Sequence, residues 1–152
     1  MRHMVSQQPA DVGHQADTFA DWDPELAPTA PGRTRRPEGD CPVEVALAAV
    51  SGRWTTLILR ELMGGPRGFT ELRERLPEVS AKVLSHRLRE LGEGGLVSVE
   101  RQRGFPVRSR YALTASGQAL RPLLVELYAT GEALLALGGG PGPDAGARGA
   151  AG

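Results

Sequence analysis

The sequence predicts a mainly α-helical domain carrying a small β-hairpin. Apolar residues recur at helical spacing in four short segments between Val43 and Leu91, separated by Gly and Pro. From Leu96 to Leu113 the pattern switches to alternation on either side of a Gly104–Pro106 loop. A leucine-rich stretch from Leu120 to Leu135 then returns to the helical period.

Each element has its own local reason. Pro42 suits the first turn of a helix, where a missing N–H costs nothing, and Val43, Leu47 and Val50 follow until Gly52 ends it. Trp54, Leu57, Ile58 and Leu62 mark a second helix, stopped by Gly64, Gly65 and Pro66. Thr70 can cap a third, short helix with Leu72 and Leu76 facing inward and Pro77 beyond its end. Ser80 caps a fourth, whose buried stripe is Leu84, Leu88 and Leu91, and Gly92 to Gly95 break it. Leu96, Val97 and Val99 predict a strand, and Tyr111 and Leu113 its return. Thr114 or Ser116 starts one long last helix carrying Leu120, Leu123, Leu124, Leu127, Leu134 and Leu135. That apolar surface is wider than one small domain can cover, which predicts self-association.

Composition sets the frame. A chain of 152 residues with 40% hydrophobic content supports a single core. Residues 1–39 are poor in large apolar groups and predict a disordered arm, with a transient turn around Phe19 and Trp22. Residues 138–152 form a Gly/Ala/Pro tail unable to bury enough surface to order itself. The folded domain is therefore expected over 40–137. No apolar run approaches the roughly 20 residues of a membrane span, and the N-terminus has no signal-peptide core, so a soluble cytoplasmic protein is expected. A single cysteine, Cys41, allows no internal disulfide and no multi-cysteine zinc site. No metal and no cofactor are expected.

The net charge is zero, with 18 basic and 18 acidic residues. The charges are unevenly placed. Lys82, Arg87, Arg89, Arg101, Arg103, Arg108 and Arg110 are opposed locally only by Glu90, Glu93 and Glu100, while Asp11, Asp17, Asp21, Asp23 and Glu25 collect near the start. A local basic patch, rather than overall pI, is the electrostatic footprint of a nucleic-acid binder.

On a helical wheel Lys82, Ser85, His86 and Arg89 share the arc opposite Leu84, Leu88 and Leu91. Burying the leucines turns the polar arc outward. Lys82 and Arg89 have the reach for phosphates or guanine edges, Ser85 and His86 suit short base contacts, and Ser80 stands at the head of the same helix. The alternative is an ordinary solvated helix face. The hairpin argues against it, because Arg101, Arg103, Arg108 and Arg110 surround a projecting tip, Gly104 to Val107. Arginine there suits phosphate oxygens or a narrow minor groove, although charged edges also protect hairpins from aggregation. A helix pair followed by such a hairpin is a winged helix-turn-helix, and the DNA-contact set is Ser80, Lys82, Ser85, His86, Arg89, Arg101, Arg103 and Arg108. The partner is then double-stranded DNA.

The segment "CPVEVALAAVSGRWTTLILRELMGGPRGFTELRERLPEVSAKVLSHRLRELGEGGLV", with "YALTASGQAL" after the wing, resembles the HxlR-type transcriptional regulators. The likeness spans Cys41 to about Leu137. It rests on Cys-Pro at the first helix, Gly-x-Trp before the second and Ser-x-Lys-x-Leu in the recognition helix. It departs from the common pattern at Arg110 and at the wing tip, Phe105. The resemblance implies a homodimer joined through its first and last helices on an operator of two-fold symmetry. It also implies that Cys41 is a candidate redox-sensing residue, since several members sense electrophiles or oxidants at this position. Amides at a helix start favour the thiolate, whereas Asp40 and Glu44 oppose it. The effector expected on this basis is an electrophile or another small molecule.

Other readings fit less well. The core has no Gly-rich phosphate loop, no acid pair in an apolar setting and no His/Cys pair at ligand spacing, so an enzyme is not expected. A winged helix serving only as a protein-binding module would not need arginines on both helix and wing. Arg33, Arg35 and Arg36 could form a minor-groove arm, although such clusters are more often solvated linker.

Overall fold

A computed structural model describes residues 23–30, 33 and 39–141. The elements are α1 (Pro42–Val50), α2 (Thr55–Met63), β1 (Arg67–Gly68), α3 (Phe69–Arg75), α4 (Ala81–Glu93), β2 (Val97–Gln102), β3 (Arg108–Leu113), α5 (Ala115–Gln118) and α6 (Arg121–Ala136). The chain falls into two units, residues 1–45 and 46–152.

In the first unit, Ala27 and Cys41 are buried. The Arg33 guanidinium donates from Nε to the Ala27 carbonyl at 2.9 Å, which does not suit a residue reaching into a groove as a free arm. Arg35 and Arg36, like residues 1–22 of the arm expected over 1–39 and residues 142–152 of the tail expected over 138–152, lie outside the described residues. Val45 donates its amide to the Cys41 carbonyl at 3.0 Å, so Cys41 stands at the cap of α1.

The second unit is a winged helix-turn-helix. Ile58, Leu59, Leu62, Leu72, Leu76, Val79, Leu84, Leu88, Leu91 and Val97 form one buried cluster. Spacing explains the helical members: Ile58, Leu59 and Leu62 share one face of α2, and Leu84, Leu88 and Leu91 share one face of α4. Truncating such a leucine to Ala costs about 2–5 kcal/mol, so the register of α4 is strongly fixed. Ser80 caps α4, its hydroxyl accepting from the Val83 amide at 3.2 Å. Between α3 and α4, Val79 plugs the core at 1% exposure while Leu76 and Val79 close the turn with backbone bonds to Leu72 and Leu76.

The wing is antiparallel, with Val97 opposite Leu113, Val99 opposite Tyr111 and Arg101 opposite Ser109. Thr114 fastens its base. The hydroxyl donates to the Gly95 carbonyl at 2.6 Å and accepts from the Gly117 amide at 3.2 Å, tying the end of the hairpin to the end of α4. A side chain at Gly117 would run into the Leu96 carbonyl, so only glycine fits this crossing.

Three expectations change. The sheet has a third strand, β1, whose Arg67 and Gly68 pair with Tyr111 and Arg110. Helix α3 begins at Phe69 with Gly68 as its cap, not at Thr70. Glu71 explains the shift, because its carboxylate reaches back to the Gly68 amide. The single last helix is two: α5, capped by Thr114, and α6, which restarts with Pro122 in its first turn.

Apolar side chains remain on the outside. Val43, Val45 and Leu47 of α1 are each about half exposed, and on α6 Val125, Leu127, Tyr128, Leu134 and Leu135 stand free. No helix among the described residues is long and apolar enough to cross a membrane.

Candidate nucleic-acid interface

Helix α4 presents Lys82, Ser85, His86 and Arg89 to solvent, with Ser80 exposed at its head. The buried leucine face leaves them no other direction. They are not chemically equivalent. Arg89 Nη2 lies 2.9 Å from His86 Nδ1, and His86 Nε2 lies 3.1 Å from Glu90 Oε1. An imidazole accepting at Nδ1 and donating from Nε2 satisfies both contacts. Glu90 also takes the Arg87 guanidinium at 2.7 Å. That bond, helped by the charges of Arg87 and Arg89, holds the Glu90 carboxyl below its usual range. A string Arg89–His86–Glu90–Arg87 thus runs along the helix, and its one acid is engaged by cations rather than facing out unpaired.

Arg87 is the residue the sequence did not single out. Its side chain is only 24% exposed. It leaves the outer face and donates from Nε to the Arg53 carbonyl at 3.1 Å, in the corner between α1 and α2. That corner is shaped to receive it. Gly52 adopts φ +93°, and a Cβ there would lie 2.9 Å from the Arg87 guanidinium. Trp54 follows at φ +76°, a conformation non-glycine residues rarely adopt, with Arg53 lying 5.5 Å over its ring. The wheel carries a signal for this role: Arg87 lies roughly 70° from the centre of the leucine stripe, beside the core rather than opposite it.

The wing carries cations on both of its faces. Strand alternation puts Arg101 on the side of Val97 and Val99, and Arg108 on the other side with Gln102, Glu100 and Arg110. Arg103 stands in the loop. Phe105 at the tip is fully exposed. Arg110 donates toward the Pro66 carbonyl at 3.4 Å and lies opposite Glu100, so it helps hold the base of the wing. Among the described residues no ion pair engages Lys82, Arg101, Arg103 or Arg108. The structure thus brings the recognition-helix residues together on one face and gathers Arg101, Arg103 and Arg108 on the hairpin. Cys41 belongs to the first unit, where it is buried at 6% exposure.

Residues 49–137 match the HxlR-like helix-turn-helix family. The chain belongs to the HxlR family. It is similar to the HTH-type transcriptional regulator YodB of Bacillus subtilis, 38% identical over 90 residues that cover 59% of this chain and 80% of YodB. YvaP of the same organism, also described as an HTH-type transcriptional regulator, is 42% identical over 88 residues, 57% of this chain and 82% of YvaP. Among solved structures, the redox regulator HypR in its reduced form superposes with a TM-score of 0.58 at 30% identity, covering 61% of this chain and 92% of HypR. Reduced YodB of B. subtilis gives 0.53 at 37% identity, covering 59% of this chain and 88% of YodB. This HxlR-type chain is a transcriptional regulator.

Proposed function

We propose that this regulator binds operator DNA as a homodimer, placing α4 of each protomer in successive major grooves about 34–36 Å apart with the wings on the flanking backbone. The observation that carries the reading is the exposed set of cations that have no ion pair among the described residues, Lys82 on α4 and Arg101, Arg103 and Arg108 on the wing, around a helix whose leucines fix its orientation. Ser80, Ser85, His86 and Arg89 complete the contact set. The exposed apolar residues of α1 and α6 favour self-association through those helices, and 40–137 is the binding and dimerising domain.

The test is a salt titration on a duplex containing the flanking intergenic region. Four phosphate contacts per protomer give eight per dimer, so log K should fall against log salt with a slope of about −7. Lys82→Ala should reduce that slope by about 2 per dimer without unfolding the protein. A slope near zero would remove the DNA reading. Arg89→Ala should cost about 1–3 kcal/mol of operator affinity.

We also propose that Cys41 makes the regulator thiol-responsive. The reading draws on its place at the cap of α1 and on likeness to a redox regulator. Diamide should release the operator from the wild type and not from Cys41→Ser. Equal responses of the two proteins would end that part of the proposal.

A further inference from the structure

We propose that Phe105, at the tip of the wing, is a wedge that enters the minor groove, unstacks a base step and kinks the operator. The proposal rests on the DNA reading and deepens it. The last rung of the hairpin pairs Gln102 with Arg108, and the tip beyond it, from Arg103 to Val107, is exposed throughout. Phe105 is fully exposed and Val107 largely so. Neither belongs to the buried cluster or to the side chains packed against it. The aromatic ring therefore adds no buried contact to the fold, yet the backbone holds it out. Gly104 turns the chain at φ +150°, where side chains are rarely tolerated, and the pyrrolidine of Pro106 restricts the backbone after it.

The charges around the ring select what it meets. Arg103 precedes it in the loop, and Arg101 and Arg108 stand on the two strands that carry it. None of the three has an ion pair among the described residues. The nearest acid in sequence, Glu100, lies two rungs back from the tip, opposite Arg110. An aromatic ring set among cations fits a target that is anionic outside and apolar within. Stacked bases between two rows of phosphates are such a target. A minor groove about 6 Å wide lets arginines on the two arms reach opposite rows while the ring enters between them. Apolar side chains inserted in this way unstack the step and bend the duplex by about 20–90°. A second wing is the poorer occupant, because a two-fold contact sets the same arginines against each other. An anionic membrane surface calls for a broader apolar face than one Phe and one Val provide.

The test uses full-length protein and the duplex footprinted in the flanking intergenic region, with 2-aminopurine placed in turn at each adenine and a dye pair at the two ends. Wild type should raise 2-aminopurine emission at one step beside each half-site and bring the dyes closer together. Phe105→Ala should abolish both signals and weaken binding by about tenfold or more, as loss of an aromatic–base stack does. Its melting temperature and salt slope should stay at the wild-type values. Phe105→Leu, which keeps an apolar wedge, should retain the kink. A duplex bound with the expected salt slope but with no step unstacked would overturn the wedge alone, as would unchanged emission with Phe105→Ala. A melting temperature lowered in Phe105→Ala would make the ring structural and overturn it too. Pelleting with phosphatidylglycerol vesicles that depends on Phe105, with duplex signals unchanged by Phe105→Ala, would assign the tip to a membrane surface instead. Absence of salt-dependent duplex binding by wild type is a different result, which removes the DNA reading itself and the wedge with it.

Discussion

Replacing Arg87 with Ala should weaken operator binding without changing its salt dependence. Arg87 bonds the Arg53 carbonyl at 3.1 Å and covers Gly52, so it fixes α4 against the α1–α2 corner instead of facing DNA. A hydrogen bond from a charged donor is worth about 1.5–3 kcal/mol when buried. With the side chain 24% exposed, solvent screening brings the figure to about 1 kcal/mol per protomer. A dimer that must present both recognition helices then loses about 2 kcal/mol, roughly 30-fold in affinity. Fluorescence anisotropy on an operator duplex at several salt concentrations measures both quantities. The slope should match wild type, whereas Lys82→Ala should flatten it. Gly52→Ala, which pushes a methyl group into the guanidinium at an unfavourable φ, should reproduce the affinity loss. If Arg87→Ala flattens the slope as Lys82→Ala does, Arg87 is a phosphate contact and the tether argument fails.

Three further outcomes follow from local geometry. Gly117→Ala forces a methyl group against the Leu96 carbonyl and the Leu113 side chain. It should cost about 1–3 kcal/mol, read as a clear fall in melting temperature by calorimetry. Ser80→Ala removes the cap on the Val83 amide and should cost about 1 kcal/mol; urea unfolding measures it, and an unchanged midpoint would show that the cap contributes nothing. Glu90 titrates below its ordinary value of 4.5, chiefly through the Arg87 hydrogen bond. Its contribution to stability is therefore complete above that value and is lost as pH falls through the lowered one. Melting temperature against pH should show a smaller acid-side loss in Glu90→Gln than in wild type.

The helices were legible because their signals are local. Ser80 before Ala81, with leucines at 84, 88 and 91, specifies a cap, a period and a buried face within twelve residues. The outward placement of Lys82, Ser85, His86 and Arg89 follows from that face alone. What was missed depends on contacts distant in sequence. Strand β1 has two residues, too few for any alternation, and exists because Arg67 and Gly68 meet Tyr111 and Arg110 some forty positions away. The start of α3 was misplaced because Thr70 is a good capping residue, but Glu71 satisfies the Gly68 amide first. The break between α5 and α6 was foreshadowed by Pro122, yet the leucine period runs through it and masked the interruption. Arg87 was counted with the other cations because charge can be counted in a sequence, whereas its direction depends on a glycine 35 positions earlier.

That last distinction also resolves how a chain of zero net charge can present a cationic surface. In the second unit several acids are matched to arginines that support the fold. Glu61 takes Arg60 and Arg75, Glu71 takes Arg67 and Arg75, and Glu90 takes Arg87. Arg67 in turn donates to the Glu61 carbonyl at 2.8 Å, which anchors β1 to α2. Among the described residues Lys82, Arg101, Arg103 and Arg108 are in no ion pair, and they lie on the recognition helix and the wing. A polyanion approaching from that side meets their field at short range, opposed locally by Glu93 of α4 and Glu100 of the wing, while Glu61, Glu71 and Glu90 are engaged by arginines. At about 0.15 M salt, charges more than roughly 8 Å apart are largely screened, so this local sorting of charge governs approach more than the whole-chain sum does.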